Sequence, residues 1–251
     1  MITTVAGLQV RCKKAGEGPP VIVLHGWGAC LDTVAPILHC LSRRHMVFTV
    51  DLPGFGQSQQ PGGVWGASEY ARWVKDFMDA VGCSRADFVG HSFGGRVCIA
   101  LAAAYPERVN RLVLIDSAGI RPPRTWRYRV RVGLFKALQA MVLFLPLRRW
   151  REAVFDGLRR VSGSSDYRDA GTMRGTLVRV VNEDLRPLLA AVQAPSLLIW
   201  GEQDAEVPLA HGRIMAAEMP RARLEVLPGA GHYSYLERLP KFCQLVSDFL
   251  E

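Results

Sequence analysis

A serine lies at the centre of the segment Gly90–Gly94, which reads Gly-His-Ser-Phe-Gly. The residues before this segment have the pattern of a buried strand, and those after it have the pattern of an apolar helix. A tight strand-to-helix turn needs very small residues two positions on either side of its centre, and the two glycines meet that need. Such a turn would hold the Ser92 hydroxyl clear of the backbone, where it could act as a nucleophile.

A serine hydroxyl is a weak nucleophile at neutral pH and needs a base, normally a histidine that is oriented by a carboxylate. His232 has the most suitable setting, because it lies in the glycine-rich segment Pro228–Tyr233 after the last predicted strand. The other five histidines fall at strand ends, in or beside helices, or inside the serine turn: His25, His39, His45, His91 and His211. We therefore expect His232 to be the general base.

Asp204 is the carboxylate that we expect to orient His232, since it follows the predicted strand Ser196–Trp200. Residues just beyond the carboxyl ends of parallel strands converge on one crevice, and Ser92, Asp204 and His232 all satisfy that rule. Three other acids compete for the same role: Glu202, Glu206 and Asp116. Asp116 also follows a strand, and we expect it to fix the start of an inserted segment.

Strand and helix patterns alternate along the chain, which predicts parallel strands covered by helices. The predicted strands are Val21–Leu24, Met46–Val50, Asp87–Val89, Leu112–Ile115, Ser196–Trp200 and Leu224–Leu227. Val5–Lys13 is expected to form an edge hairpin. One predicted helix begins at Ser68 as its N-cap and presents an apolar face that starts with Tyr70, and a second, very apolar helix follows Gly94.

The length of 251 residues favours one α/β domain with an insertion. The alternation of strand and helix patterns stops after Ile115. Pro122 and Pro123 then begin a long stretch of basic and apolar residues with a helical pattern. We therefore predict a core domain from residues 1–120 and 187–251, with a helical cap, or lid, formed by residues 121–186.

The net charge of +8 is concentrated in the predicted cap. Residues 121–186 contain 15 of the 31 basic side chains but only 6 of the 23 acidic ones. This charge could attract an anionic substrate or place the cap on an anionic membrane surface, but we favour a solvated face over an apolar pocket. No nucleic-acid-binding module is recognisable, so nucleic acid is not an expected partner.

The six cysteines show neither a CxxC pair nor a regular spacing, which indicates reduced thiols rather than a disulfide framework or a metal site. The N-terminus lacks the zones of a signal peptide. The apolar run Val132–Leu147 is short for a membrane span and contains Lys136. A cytoplasmic protein is therefore expected.

The chain resembles the cap-bearing serine hydrolases of the α/β-hydrolase superfamily. Five segments carry the resemblance: His25–Gly28, Asp51–Ser58, Gly90–Gly94, Gly201–Asp204 and Gly231–His232. The order Ser, Asp, His is also that of the superfamily. The resemblance covers about residues 1–120 and 187–251. It implies an α/β fold with a mostly parallel, twisted sheet, helices on both faces and an inserted helical cap.

The resemblance also implies roles for individual residues. Ser92 corresponds to the nucleophile, His232 to the general base and acid, and Asp204 to the residue that holds the imidazole. The backbone N–H groups of Trp27 and Phe93 correspond to the oxyanion hole. Neither a metal nor an organic cofactor is implied, and the segment Asp51–Ser58 corresponds to a structural loop without a chemical role.

The activity implied is hydrolysis of carboxylic esters through an acyl-serine intermediate, with a small-molecule substrate that carries a small to medium apolar acyl or aryl group. A serine in the turn disfavours epoxide hydrolases and haloalkane dehalogenases, which have an aspartate there. Three alternatives stay open: a carbon–carbon bond hydrolase with the same triad, a lyase-type relative suggested by Arg96, and a receptor for a small ligand. The sequence indicates neither the natural substrate nor an oligomeric state.

Overall fold

The computed structural model describes residues 1–121 and 170–251, and within them eight strands form one sheet. The strands are β1 (Ile2–Val5), β2 (Leu8–Ala15), β3 (Pro20–Leu24), β4 (Met46–Val50), β5 (Ala86–His91), β6 (Val109–Ile115), β7 (Ser196–Gly201) and β8 (Ala222–Leu227). Their order across the sheet is β1-β2-β4-β3-β5-β6-β7-β8. The prediction of a mostly parallel sheet is confirmed, because β3 through β8 pair in parallel and only β2, which pairs antiparallel with both β1 and β4, runs against the other strands.

All six strands predicted for the parallel part of the sheet are present, and each is as long as predicted or one to three residues longer. Several of the extra residues, such as Gly90 and His91 at the end of β5, lack the branched apolar side chains on which the prediction relies. The edge hairpin is confirmed and consists of β1 and β2, joined at Ala6 and Gly7. Both turn residues have positive φ, as a tight hairpin turn requires.

The core lies on both faces of the sheet, and the strands supply alternate residues to each face. On β3, Ile22 and Leu24 pack with the helices of one layer, whereas Val21 and Val23 pack with those of the other. All four side chains are fully buried. This explains why the central strands are continuous apolar runs rather than alternating ones.

The helices in the described residues are α1 (Ala35–Leu41), α2 (Ala67–Ala80), α3 (Phe93–Ala104), α4 (Arg174–Asn182), α5 (Leu209–Glu218), α6 (Ser234–Glu237) and α7 (Leu239–Leu250). Helices α2 and α3 belong to one layer, and α1 and α7 belong to the other. None of the helices in residues 1–121 and 170–251 is long and apolar enough to cross a membrane.

The predicted N-cap Ser68 is wrong, because helix α2 already begins at Ala67 and is capped by Gly66. Two carboxylates take the place of a capping hydroxyl. Glu69 accepts a hydrogen bond from the backbone N–H of Gly66 (2.9 Å), and Glu183 accepts one from the N–H of Ala67 (2.9 Å). The negative charges at this helix N-terminus also interact favourably with the helix dipole.

Part of the predicted cap, residues 170–186, is described by the structure, and it contains helix α4. Arg179 on α4 binds the Glu69 carboxylate at 2.7 Å and the Val64 carbonyl at 2.9 Å, which fastens α4 to the start of α2. Residues 122–169, with most of the basic and apolar cap sequence, lie outside the described residues. The domain boundaries and a role of the basic cap at membranes therefore stay predictions.

Candidate active site

Ser92 occupies a strained turn between β5 and α3. Its φ of 50° and ψ of −109° are rare for a residue with a side chain. Its backbone N–H donates to the Ile115 carbonyl (2.9 Å), and its carbonyl accepts hydrogen bonds from the N–H groups of Arg96 (3.2 Å) and Ala118 (3.1 Å). Bonds to the end of β6 and to the first turn of α3 thus hold the strained conformation in place.

The glycines around Ser92 are required by close backbone packing. A Cβ at Gly90 would lie 2.7 Å from the carbonyl of Gly94, and one at Gly94 would collide with the carbonyl oxygen of Leu24 at the end of β3. A Cβ at Gly95 would strike the hydroxyl of Ser117. Since real side chains do not approach backbone this closely, the sequence pattern around the serine reflects a steric requirement.

Asp204 and His232 form a direct hydrogen-bonded pair at the same edge of the sheet. Nδ1–H of His232 donates to Oδ2 of Asp204 at 2.8 Å, and both side chains are buried. The second oxygen of Asp204 accepts hydrogen bonds from the N–H groups of Glu206 (2.8 Å) and Val207 (2.9 Å). This arrangement fixes the tautomer of His232 and leaves Nε2 with its lone pair.

The pKa of His232 lies above the ordinary value for histidine. Burial of the ring lowers this pKa, but the hydrogen bond to Asp204 and the charges of Asp204, Glu206 and Asp116 together raise it by more. The carboxylate of Glu206 is 3.5 Å from Nε2, the ring nitrogen on the side opposite Asp204. The imidazole is therefore placed where its protonated form is stabilised by nearby carboxylates.

The rival acids Asp116 and Glu202 have other partners. Asp116 is fully buried at the end of β6 with a φ of 45°, and it accepts hydrogen bonds from the N–H groups of Gly201 (2.8 Å) and Ser234 (3.1 Å). Burial raises its pKa to about 7, although these two hydrogen bonds oppose the shift. Glu202 accepts a bond from the N–H of Gly229 (3.0 Å). Asp116 thus links the end of β6 to the end of β7 and to Ser234, and its predicted role in fixing the start of the cap stays a prediction.

The loop after β3 brings Gly26 and Trp27 beside the serine. A Cβ at Gly26 would lie 3.5 Å from the Cβ of Ser92. His25 holds this loop, because its Nε2 accepts a bond from the N–H of Leu52 (3.0 Å) and its Nδ1–H therefore donates to the Gly26 carbonyl (2.8 Å). Burial lowers the pKa of His25, so the ring is neutral in this role.

The two residues predicted to form an oxyanion hole, Trp27 and Phe93, lie next to each other. Their rings meet edge to face at 5.4 Å, and Phe55 packs against both. Phe93 is the first residue of α3, where backbone N–H groups have no acceptor within the helix. Tyr70 adds a further ring at 5.1 Å from Phe93. An aromatic cluster that is buried except for part of Trp27 therefore lies beside the serine.

His91 makes contacts that its position inside the serine turn does not predict. Its Nε2–H donates to the backbone carbonyl of His232 at 2.9 Å, and the two rings are 4.9 Å apart. Burial lowers the pKa of His91 to about 3, with a further contribution from His232, so the ring is neutral. This residue joins the serine turn to the histidine loop. Its neighbours in the chain carry no signal for this contact, because the partner is 141 residues away.

Arg96, which suggested a lyase-type alternative, is buried in the first turns of α3. Its Nη1–H donates to the Glu183 carbonyl at 3.0 Å, which connects α3 to the end of α4. Burial lowers its pKa to about 10, opposed by the charges of Glu183 and Asp184. The guanidinium remains charged at neutral pH and serves as a bridge between these two helices.

The loop Asp51–Ser58 is held together by the side chain of Asp51. The buried Asp51 carboxylate accepts hydrogen bonds from the N–H groups of Leu31 (2.6 Å) and Gln57 (2.9 Å). Across residues 1–121 and 170–251, no group of three or more His, Cys, Asp or Glu side chains is arranged to hold a metal ion.

Comparisons with known proteins agree with this geometry. A sequence profile of the family described as alpha/beta hydrolase fold matches residues 19–145 and 158–239. The 2-hydroxymuconate semialdehyde hydrolase of Pseudomonas putida is 32% identical over 264 residues, which cover 98% of this chain and 92% of that protein.

Two solved structures are similar over all of this chain. The enol-lactonase from Burkholderia xenovorans LB400 has 29% sequence identity and a TM-score of 0.76, with 99% of its chain covered. A membrane phospholipase A, a bacterial virulence factor, has 28% identity and a TM-score of 0.78, with 84% of its chain covered. The sheet order, the serine turn and the matched profile lead to one conclusion: this chain is a hydrolase that belongs to the alpha/beta hydrolase fold family.

Proposed function

We propose that this protein is a serine esterase, which hydrolyses carboxylic esters of small to medium acyl or aryl groups through an acyl-Ser92 intermediate. The observation that carries the proposal is the hydrogen-bonded pair of Asp204 and His232, which lies at the sheet edge where the strained turn exposes Ser92. A nucleophile, a base and an orienting carboxylate at one site are the requirements for acyl transfer through serine.

In the proposed reaction, Oγ of Ser92 attacks the ester carbonyl while Nε2 of His232 takes the hydroxyl proton. The resulting oxyanion accepts hydrogen bonds from the N–H groups of Phe93 and Trp27. His232 then gives its proton to the alcohol oxygen, the C–O bond breaks and the acyl group stays on Ser92. A water molecule repeats the sequence and releases the acid. Asp204 holds the ring through Nδ1 and stabilises the imidazolium in both steps.

The composition of the site supports a neutral, apolar acyl or aryl group. The side chains beside Ser92 form an aromatic cluster of Trp27, Phe55 and Phe93, in which the two phenylalanines are buried in the core and Trp27 is partly exposed. Apolar side chains with few polar groups are the usual lining of a small-molecule site. We also propose a cytoplasmic location, because all six cysteines lie in the described ranges and are free thiols.

A carbon–carbon bond hydrolase is the second candidate. The observation that favours it is the similarity to 2-hydroxymuconate semialdehyde hydrolase, at 32% identity over nearly the whole chain. Ester or lactone cleavage is favoured by the similarity to an enol-lactonase and a phospholipase A. We place the ester first because the exposed carboxylate of Glu206 lies 3.5 Å from Nε2 of His232, where it disfavours a substrate that itself carries a carboxylate.

Steady-state hydrolysis of p-nitrophenyl acetate, butyrate and octanoate tests the proposal. We expect sustained turnover by the wild type and a loss of at least about a thousandfold in Ser92→Ala, because the nucleophile is gone. Ser68→Ala, an exposed serine on α2, should retain full activity. Cleavage of a vinylogous 1,5-diketone by the wild type, with no ester turnover, would favour the second candidate. A single labelling of Ser92 by a phosphonate without turnover of any substrate would indicate a receptor.

A further inference from the structure

Glu206 lies beside the atom through which the proposed reaction must pass its proton. Its Oε2 is 3.5 Å from Nε2 of His232, and its side chain is 63% exposed. Its backbone N–H donates to Oδ1 of Asp204, and this bond fixes the backbone of Glu206 relative to the Asp204–His232 pair. In the sequence, Glu206 is only an alternative to Asp204 as the carboxylate that orients His232. In the structure, Glu206 lies at Nε2, whereas Asp204 binds Nδ1.

We propose that Glu206 is a specificity-determining residue that acts on the alcohol portion of the substrate. Its carboxylate disfavours esters with a negatively charged leaving group and favours neutral or cationic ones. This inference rests on the proposed function, because in that mechanism Nε2 of His232 must come within hydrogen-bond distance of the leaving oxygen. The alcohol portion then lies within a few ångströms of Glu206.

The other groups that face His232 do not perform this role. Asp204 is bound to Nδ1 and its side chain is fully buried, so its charge acts on the ring and not on the substrate. Asp116 is buried behind the site, and His91 is neutral and bound to the His232 carbonyl. Tyr233 offers an aromatic ring at 5.6 Å. Within the described part of the chain, Glu206 is therefore the exposed acid at ion-pair distance from Nε2.

A second consequence concerns the proton affinity of His232. The Glu206 charge is one of the causes that hold the pKa of His232 above its ordinary value, together with Asp204 and Asp116 and against the effect of burial. His211 on helix α5 interacts with Asp204, but its own pKa is lowered by burial. Removal of the Glu206 charge should therefore lower the pKa of His232 and move the rise of activity to lower pH.

The test compares three butyrate esters that differ in the charge of the phenol: those of 3-hydroxybenzoate, 3-hydroxybenzamide and 3-hydroxyphenyltrimethylammonium. The values of kcat/KM are measured at pH 8.5 and low ionic strength for the wild type, for Glu206→Gln and for Glu206→Asp. Glu107→Gln, an exposed acid in the turn before β6, is the matched control for the change in net charge. Each variant is compared with the wild type on the same ester, which cancels differences in leaving-group reactivity.

Glu206→Gln should raise kcat/KM for the anionic ester about fivefold relative to the neutral one and lower it for the cationic ester about as much. This is the factor for two unit charges about 8 Å apart at an effective dielectric constant of about 40, between the values for a protein surface and for water. Glu206→Asp should retain the preference of the wild type. Both effects should shrink in 0.5 M salt, because Glu206 is exposed. The proposal would be overturned if kcat/KM of Glu206→Gln, relative to the wild type, stayed within twofold for all three esters. It would also be overturned if the same changes in kcat/KM occurred in Glu107→Gln.

A titration of the His232 ring by NMR gives a readout that does not need turnover. We expect the pKa of His232 to fall in Glu206→Gln and to stay unchanged in Glu107→Gln. If none of the esters is hydrolysed, the proposed function fails. The NMR titration then tests Glu206 by itself, and an unchanged pKa of His232 in Glu206→Gln overturns the role of Glu206. If the esters are hydrolysed but the charge preference does not change, the esterase proposal stands and the inference about Glu206 fails.

Discussion

The two halves of the candidate site, the serine turn and the histidine loop, are built in different ways. The serine turn is held by backbone packing, since a Cβ at Gly90 or Gly94 would overlap neighbouring carbonyl groups. The histidine loop, Pro228–Tyr233, is held by hydrogen bonds from other parts of the chain. Glu202 binds the N–H of Gly229, Glu237 binds the N–H of Gly231, and His91 binds the carbonyl of His232.

This difference has a functional meaning. A nucleophile must be fixed in one strained geometry, and tight backbone packing achieves that without any titratable group. A base must change its protonation state during the reaction, and side-chain partners such as Asp204 set its tautomer and its proton affinity. We therefore expect changes in the histidine loop to alter chemistry and pH dependence, and changes in the serine turn to alter stability.

Asp204→Asn breaks the histidine loop at its most important contact. An amide donates its N–H to Nδ1 of His232, which forces the ring proton onto Nε2 and removes the lone pair that should accept the Ser92 proton. We expect kcat for p-nitrophenyl butyrate to fall by about 10³- to 10⁴-fold, with little change in the free energy of unfolding.

Asp116→Asn is the matched comparison, because Asp116 is a buried acid at the same sheet edge and a rival of Asp204 in the sequence. We expect its effect on kcat to be less than about tenfold, since Asp116 binds backbone N–H groups and not the imidazole. If Asp116→Asn abolished activity and Asp204→Asn spared it, the assignment of the orienting carboxylate would be reversed.

Gly94→Ala breaks the serine turn. The new Cβ would collide with the Leu24 carbonyl at the end of β3, so the backbone must move. We expect the free energy of unfolding, measured by urea denaturation, to fall by about 3 kcal/mol. Gly63→Ala is the control, because a Cβ at Gly63 would meet no atom within 4 Å and the φ of this residue is not positive. Equal stability of the two variants would contradict the steric account.

The same contrast explains what the sequence could and could not predict. The serine turn was predictable because its requirements are local: two glycines, a strand before and a helix after. Asp204 and His232 were predictable from a rule of topology, since both follow strands at the carboxyl edge of the sheet. Asp116 satisfies the same rule, so topology alone does not exclude it, and the 2.8 Å contact between Asp204 and His232 supports the choice of Asp204.

Two features that sequence reasoning missed involve distant partners. Ser68 is predicted as an N-cap from local pattern, but Glu183, 116 residues from Ala67, supplies the acceptor at that helix start. The contact of His91 with His232 spans 141 residues. Tertiary packing determines contacts of this kind. The residue types and their spacing within a short segment carry no information about it.

His91 offers the finest comparison of the two halves, because it belongs to the serine turn in sequence and to the histidine loop by contact. Its pKa is lowered to about 3 by burial, so the folded protein binds this proton less readily than the unfolded chain does. Its contribution to stability is present above the unfolded pKa of about 6.5 and is lost as the pH falls from there toward 3.

We expect the wild type to lose up to about 1.4 kcal/mol of unfolding free energy per pH unit from this residue between about pH 6 and pH 4. His91→Gln keeps an N–H donor for the His232 carbonyl but does not titrate, so its curve of stability against pH should be shallower by that amount. His39→Gln, an exposed histidine on α1, should leave the slope unchanged. Urea denaturation at pH 4, 5, 6 and 7 measures all three slopes. Parallel curves for the wild type and His91→Gln would mean that the His91 ring is not held neutral between the serine turn and the histidine loop.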